Sequence, residues 1–309
     1  SDVFNDTTYE VETSDGRIVT ACKDHQWEVF TRKGGTNASK KRHVMSTESI
    51  EETQRYFRKV DWRNPKGVEQ KYYVKLPDPV QYPDRDLPID PYTLGVILGD
   101  GSVSKDSGYA RVTSHKDDAE EIFSYIPYTI GKNSTPSRTS EFRGILGVGA
   151  DIKTLGLNVN TYSKFIPEGY KRGSIQQRLA LLQGLMDTDG TSAGKFASSF
   201  SSCNKTLALD VQELARSLGM SAKLSYRDNG YAGHYRVYIK HRNFNVFRLR
   251  RKVAKVKFPF KEKADYQKLK EVRKVETVPT QCITVNNEDH LFLTTGYTVT
   301  HNSTLMEWL

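Results

Sequence analysis

Two stretches of the chain, 89 residues apart, share one pattern: Thr93-Leu-Gly-Val-Ile-Leu-Gly-Asp-Gly101 and Leu182-Gln-Gly-Leu-Met-Asp-Thr-Asp-Gly190. Each is an apolar run with a glycine midway, closed by Asp-Gly. Small residues at Gly95 and Gly184 would let two helices pack backbone to backbone, and the glycine after each aspartate would end its helix. A fold that satisfies both copies sets the helices side by side, so Asp100 and Asp189 converge at their ends. Two facing carboxylates repel, and a divalent cation with oxygen preference, Mg²⁺ above all, relieves that repulsion. Such a site can clamp a scissile phosphate and activate water. A single Asp-Gly marks an ordinary turn; the matched pair is what constrains the fold.

The flanks are of another class. Residues 9–31 alternate in short β-rich runs around the turn signal Asp15-Gly16, which predicts a hairpin or meander. A polar stretch at 33–42 reads as a loop and 46–58 as a short helix. Pro77, Pro79, Pro83, Pro88 and Pro91, with acids between them, resist helix and central strand and read as a linker, with a domain boundary near residue 86. Beyond it the pattern predicts helix at 92–98, strand at 109–113 and helix at 117–125. A weak echo follows: helix at 175–186, strands at 196–200 and 235–239, helices at 207–218 and 246–256. Two αββα-type halves are implied. After residue 274 the chain is β-rich again, at 281–285, 291–293 and 297–300. An all-β domain interrupted by an α/β insertion accounts for this order.

Charge adds a partner class. The net charge is +9, yet residues 240–274 alone hold 14 Lys/Arg against three acids. Lys240, Arg242, Arg248, Arg250, Arg251, Lys252, Lys255 and Lys257 form a basic stripe of the kind that binds DNA phosphates with counterion release; a solvated helix face is the alternative. No run approaches the roughly 18 apolar residues of a membrane helix, no secretory signal opens the chain, and Cys22, Cys203 and Cys282 have no metal-ligand spacing. A cytoplasmic, reduced protein with no membrane partner is expected.

The paired motifs resemble those of the LAGLIDADG homing endonucleases, over roughly residues 87–262. The resemblance implies αββαββα halves with curved sheets over double-stranded DNA, a pseudo-twofold axis along the motif helices and Mg²⁺-dependent double-strand cleavage, with Asp100 and Asp189 as the metal-binding acids. The first copy departs from the family at Thr93 and at Leu98, where an acid can occur. A lysine near the metals commonly assists in this family; Lys240, ending the 235–239 strand, is the candidate, with a phosphate contact or plain surface role as the alternative. The corresponding strand of the first half, 142–149, lacks lysine, so the two sites are expected to be unequal.

The C-terminal run from Cys282 to Ser303, with His290-Leu-Phe, Gly296 and His301-Asn302-Ser303 in order, resembles the C-terminal splicing blocks of inteins. An asparagine amide can attack its own backbone carbonyl, forming succinimide and breaking the next peptide bond, if a neighbour manages the protons. Histidine titrates in the right range for that. The resemblance assigns His290 and His301 to assisting Asn302, with Ser303 as acyl acceptor. Near the start, 16–25 resembles the block in which a histidine faces the N-terminal splice bond: His25 matches, while Cys22 stands where threonine is usual. Cys282 falls where many inteins carry aspartate. If the fold holds, Cys22 and Cys282 face the splicing centre, as small buried thiols or as modulators of the chemistry.

The expected architecture is therefore an all-β, horseshoe-like Hint splicing domain (1–86 and 263–302) interrupted by an α/β LAGLIDADG endonuclease domain (87–262), with 303–309 as flanking host sequence. No first nucleophile block is recognisable before Tyr9, so an N-terminally truncated intein or a naturally split one is expected, the split being preferred, with splicing in trans by a short N-terminal intein fragment. Ser303-Thr-Leu-Met-Glu-Trp-Leu309 resembles the continuation of a P-loop, which suggests a P-loop NTPase host such as a phage terminase or a helicase. A free-standing homing endonuclease, or a DNA-binding relic without nuclease activity, are the alternatives.

Overall fold

The computed structural model describes residues 3–32, 40–60, 71–132, 137–228, 233–242, 244–257, 265–281, 283, 285–286 and 288–301. The chain divides into two compact units, Ser1–Pro77 with Asp265–Leu309, and Asp78–Ala264. The sequence reading set these junctions at 86/87 and 262/263.

The first unit opens with β1 (Val3–Asn5), β2 (Thr8–Thr13), β3 (Ile18–Cys22), β4 (Gln26–Arg32), β5 (Lys40–Ser46), α1 (Thr47–Val60) and β6 (Tyr72–Lys75). Burial alternates along β2, with Tyr9 and Val11 inward, as period-two side chains demand. Gly16, at φ +80°, makes the β2–β3 turn, a left-handed position that glycine adopts without strain. Trp27, Val29 and Ile50 are fully buried in this unit's core, and the Trp27 indole donates to Thr47 Oγ1 at the start of α1 (2.9 Å).

The second unit runs α2 (Pro91–Asp100), β7 (Gly101–Val103), β8 (Ala110–His115), α3 (Lys116–Ser124), β9 (Ser140–Ile145), α4 (Gly149–Thr154), α5 (Glu168–Lys171), α6 (Ile175–Asp189), β10 (Gly190–Ser192), β11 (Ala197–Ser202), α7 (Lys205–Ser217), β12 (Ser221–Arg227), β13 (His234–Lys240) and α8 (Arg250–Val253). Asp90 caps α2 through Thr93 N, and Ser174 with Gln177 forms a capping box on α6, so both motif helices have defined starts. The sheets have orders β7-β8-β9 and β10-β11-β13-β12. Each half is thus a motif helix followed by an antiparallel sheet backed by α3 or α7, over one continuous apolar core.

The chain returns to the first unit with β14 (Tyr266–Val275), β15 (Pro279–Gln281), β16 (Leu291–Leu293) and β17 (Val299–His301). The six-stranded sheet has order β3-β2-β14-β6-β4-β5: β14 pairs with β2 on one side and β6 on the other. Leu76 N donates to Asp265 O at 2.8 Å, so the chain leaves and re-enters this unit at adjacent points. Among the described residues no helix is long and apolar enough to cross a membrane.

Two expectations differ from the fold. The helix expected over 246–256 is only the short α8; residues 244–249 are irregular, and the backbone N–H groups of Arg248 and Leu249 donate to the Asp187 carboxylate. The proline-rich stretch is not a free linker but a strap on the second unit. Fully buried Arg178 donates to Val80 O, to Ser217 O (2.8 Å) and to Gly173 O (2.8 Å), and Val80 N donates to Ser217 O (2.9 Å). Prolines bar helix and central strand but leave carbonyls free, and Arg178 takes one of them.

Candidate functional site

In the second unit, α2 and α6 touch through their glycines. A methyl group at Gly95 would overlap Leu181 O, and one at Gly184 would overlap Tyr92 O. The contact carries Asp100 and Asp189 to neighbouring helix C-termini. Burial, then the charge of Asp100, pushes the Asp189 carboxyl up to about 7 against the pull of Lys164 and Lys252; burial also raises Asp100. Both acids sit where the helix dipole is negative, so their ionised forms are doubly disfavoured without a cation. Among the described residues no group of three or more His, Cys, Asp or Glu is arranged to hold a metal. A two-carboxylate donor set suits Mg²⁺, which keeps several waters and takes the rest of its shell from substrate phosphates.

The lysines near this pair are Lys164 and Lys252. Lys164 Nζ donates to the carbonyls of Ile97 (3.1 Å), Leu98 (2.9 Å), Gly99 (3.3 Å) and Gly101 (2.7 Å). Lys252 Nζ donates to those of Met186 (2.9 Å), Asp187 (2.6 Å), Thr188 (3.3 Å) and Gly190 (2.7 Å). The acceptors correspond one to one in the two motifs. Each ammonium gathers the carbonyls at a helix end, where Ile97 O and Met186 O also accept from Gly101 N and Gly190 N, and burial depresses both lysines, Lys252 to about 8.

This corrects two readings. Lys252, assigned to DNA phosphates, is buried beneath α6, its ammonium turned to four carbonyl acceptors that offset part of the cost of desolvation. The halves are also not unequal in lysine, since Lys164 serves the first. It had a signal: Lys164 follows Asp100 by 64 residues and Lys252 follows Asp189 by 63. Lys240 is exposed at the end of β13, paired in register with Ala197 and Ser221.

The rest of the basic stripe divides. Arg242 is buried, donating to Gly219 O (3.4 Å) and Asp78 Oδ1 (3.1 Å), so it is not a free phosphate contact. Arg248 donates to Gln183 Oε1 (2.8 Å) and lies over the Tyr92 ring at 4.3 Å. Arg251 chelates Asp118. Arg250 is exposed beside Glu121, and Lys255 and Lys257 are exposed. Adjacent basic residues follow no period that separates inward from outward when most of the segment is irregular. A second basic surface lies on the β10–β13 sheet. Ala222, Val237 and Ile239 are buried, so by alternation Lys223, Ser225 and Arg227 of β12 and Arg236, Tyr238 and Lys240 of β13 share the opposite face, in register.

In the first unit, strands from both ends of the chain assemble a histidine cluster. His25 precedes β4, its backbone held by Cys22 O (3.2 Å) and Thr47 N (2.9 Å). Its Nε2 lies 2.5 Å from Thr300 Oγ1 on β17, and its ring meets Trp27 and Phe292 edge-on at 5.3 and 6.3 Å. Burial, then His301, holds His25 down to about 4, so it is neutral near pH 7. The rings of His290 and His301 are 5.8 Å apart. β16 and β17 form the hairpin that joins them, with Leu291 opposite His301; Arg17 Nε pins its turn through Gly296 O (3.0 Å). Cys22 is buried. Cys282, Asn302 and Ser303 lie outside the described residues. Sequence reasoning found the three histidines but not Thr300 or Arg17, which hold the hairpin. Imidazoles so arranged are placed to accept and deliver protons.

Residues 176–250 match the family described as LAGLIDADG-like domain. The chain is 32% identical over 327 residues to the replicative DNA helicase DnaB of Mycobacterium intracellulare, covering 96% of this chain and 50% of that protein; it thus spans about half the length of that curated relative. Among solved structures, the homing endonuclease I-DmoI is similar at 17% identity and TM-score 0.37, covering 50% of this chain and 88% of that one. The N-terminal LAGLIDADG domain of DUF199/WhiA follows at 10% identity and TM-score 0.33, covering 50% and 76%. The chain carries a LAGLIDADG-like α/β domain, whose matched stretch runs from the start of α6 to α8.

Proposed function

We propose that this chain is an intein: a Hint-type protein-splicing element with its C-terminal junction at Asn302/Ser303, interrupted by a site-specific DNA endonuclease. The observation that carries the reading is the convergence of His25, from the start of the chain, with Thr300 and His301, from its end, in one unit. The Asn302 side-chain nitrogen attacks the Asn302 carbonyl carbon, the bond to Ser303 breaks, and its nitrogen leaves with a proton. His290 and His301 move those protons. His25 serves the N-terminal splice bond, and the Ser303 hydroxyl receives the acyl group before Asn302 closes. An N-terminal intein fragment supplied in trans would add a strand to this domain; β3 is an edge of the six-stranded sheet among the described strands, with Ile18 half-exposed, and open edges accept strands. The helicase identity of the curated relative supports a helicase as host.

The endonuclease reading rests on Asp100 and Asp189. Together they would hold Mg²⁺, which supplies charge stabilisation at the scissile phosphate of double-stranded DNA. Lys164 and Lys252 hold the helix ends that present both acids and offset their charge. Lys223, Arg227, Arg236 and Lys240, with the exposed Arg250, Lys255 and Lys257, supply phosphate-binding charge.

The splicing test follows Ser303–Leu309 by mass spectrometry: the chain should release it, Asn302→Ala should not, and His290→Ala or His301→Ala should slow release. Release from Asn302→Ala refutes the assignment. The nuclease test offers duplex DNA of the uninterrupted host gene with Mg²⁺. Asp100→Asn or Asp189→Asn should lose double-strand cleavage and keep the C-terminal release; wild-type cutting by either variant overturns the metal assignment.

A further inference from the structure

The contact between His25 and Thr300 fixes more than the position of a ring. Thr300 is fully buried, with no exposed surface, and its hydroxyl makes two contacts: Nε2 of His25 at 2.5 Å and the main-chain oxygen of Gln26 at 3.4 Å. A hydroxyl has one proton and two lone pairs. A carbonyl oxygen only accepts, so the Thr300 proton points to Gln26 O. With that proton on the Gln26 side, the short contact runs the other way, Nε2–H of His25 donating to Thr300 Oγ1. A neutral imidazole has a proton on one nitrogen only, which puts the lone pair on Nδ1. The edge-on rings of Trp27 and Phe292 offer no competing lone pair in the ring plane.

We propose that Thr300 is a positioning residue that holds His25 as the Nε2–H tautomer and makes Nδ1 its working nitrogen. The inference deepens the splicing reading and rests on it for its consequence, though not for the tautomer itself. It also ties the two chemical steps together in one strand. The residue that sets the N-terminal histidine stands two positions before Asn302, and β17 carries both Thr300 and His301.

The test uses the full chain labelled with ¹⁵N-histidine, the His25 signals being assigned by their loss in His25→Gln. At neutral pH the wild type should show Nε2 protonated and Nδ1 bare. Thr300→Val, nearly isosteric but without the acceptor, should give a mixture or the opposite tautomer, and Thr300→Ser should restore the wild-type pattern. Near-ultraviolet circular dichroism of the buried Trp27 checks that each variant is folded. A wild type with Nδ1 protonated, or a folded Thr300→Val with an unchanged tautomer, overturns the proposal. A second readout supplies an intein N-terminal block as a separate polypeptide and follows cleavage at its splice bond. Thr300→Val should slow that step about tenfold, equivalent to about 1.4 kcal/mol of barrier, with rescue by Thr300→Ser. Equal cleavage rates in Thr300→Val and wild type would refute the positioning role. If no variant cleaves but the tautomer pattern holds, the splicing reading fails while the tautomer assignment stands.

Discussion

Replacing Asp189 with asparagine should make the metal-free second unit more stable at pH 8, and by only about a third as much at pH 5. The folded carboxyl titrates at about 7, against roughly 3.9 for an aspartate in an unfolded chain. The native state therefore binds the proton more tightly. Stability must fall as pH rises from about 4 to about 7, with the full cost present above 7. About three pKa units at about 1.4 kcal/mol each set a ceiling near 4 kcal/mol; solvent reaching the helix ends trims this to ~2–3 kcal/mol. For a unit spanning Asp78–Ala264, each kcal/mol moves the melting temperature by about 2–4 °C. Asparagine removes the buried charge at nearly constant volume. Thermal melts by far-ultraviolet circular dichroism, dominated by the second unit's helices, would read the effect. Fluorescence of Trp27, buried in the first unit, serves as internal reference. Mg²⁺ at pH 8 should raise the wild type toward the variant by mass action and move the variant little. A wild type that falls no further below Asp189→Asn at pH 8 than at pH 5 would refute the argument that ionising Asp189 beside Asp100 is disfavoured despite Lys164 and Lys252.

Lys252→Met should cost the second unit about 2–4 kcal/mol in urea denaturation, because the carbonyls at the end of α6 lose the ammonium, Met186 O keeping a second donor in Gly190 N, and buried acceptors without partners are expensive; a loss below ~0.5 kcal/mol would mean that water replaces the ammonium. Gly184→Ala should destabilise by at least ~1–3 kcal/mol, the usual cost of overpacking, since the added methyl meets the carbonyl of Tyr92; an unchanged melting temperature would show that α2 and α6 can separate. Removing residues 79–263 and bridging the ends with a short glycine-containing turn should leave the first unit folded, because Leu76 and Asp265 already meet and β6 and β14 already pair; Trp27 fluorescence at the wild-type wavelength checks this, and a red shift to solvent-exposed indole would contradict it.

The sequence by itself determined the motif helices and their meeting. Gly95 and Gly184 sit within apolar runs closed by Asp-Gly, the caps at Asp90 and Ser174 are local, and helix contact through glycine is a property of short segments. The clustered histidines His25, His290 and His301 were legible for a related reason, since each stands at a fixed offset from strand and turn signals. Only the tertiary structure decided what depends on distant segments meeting. Lys164 and Lys252 belong to the acidic site because the fold brings residues more than 60 positions away back beneath each helix end, and nothing local distinguishes a buried lysine from an exposed one. The basic residues from Arg242 to Lys257 looked alike in sequence, yet Arg242 and Lys252 turn inward to carbonyls while Lys255 and Lys257 stay in water. The proline strap was misread for the same reason: prolines declare what backbone they forbid, whereas its partner, Arg178, lies 98 residues from Val80. The contact of His25 with Thr300 spans 275 residues. Periodicity and capping are encoded within a few turns of chain, but the partner of a buried polar atom is chosen by three-dimensional closure.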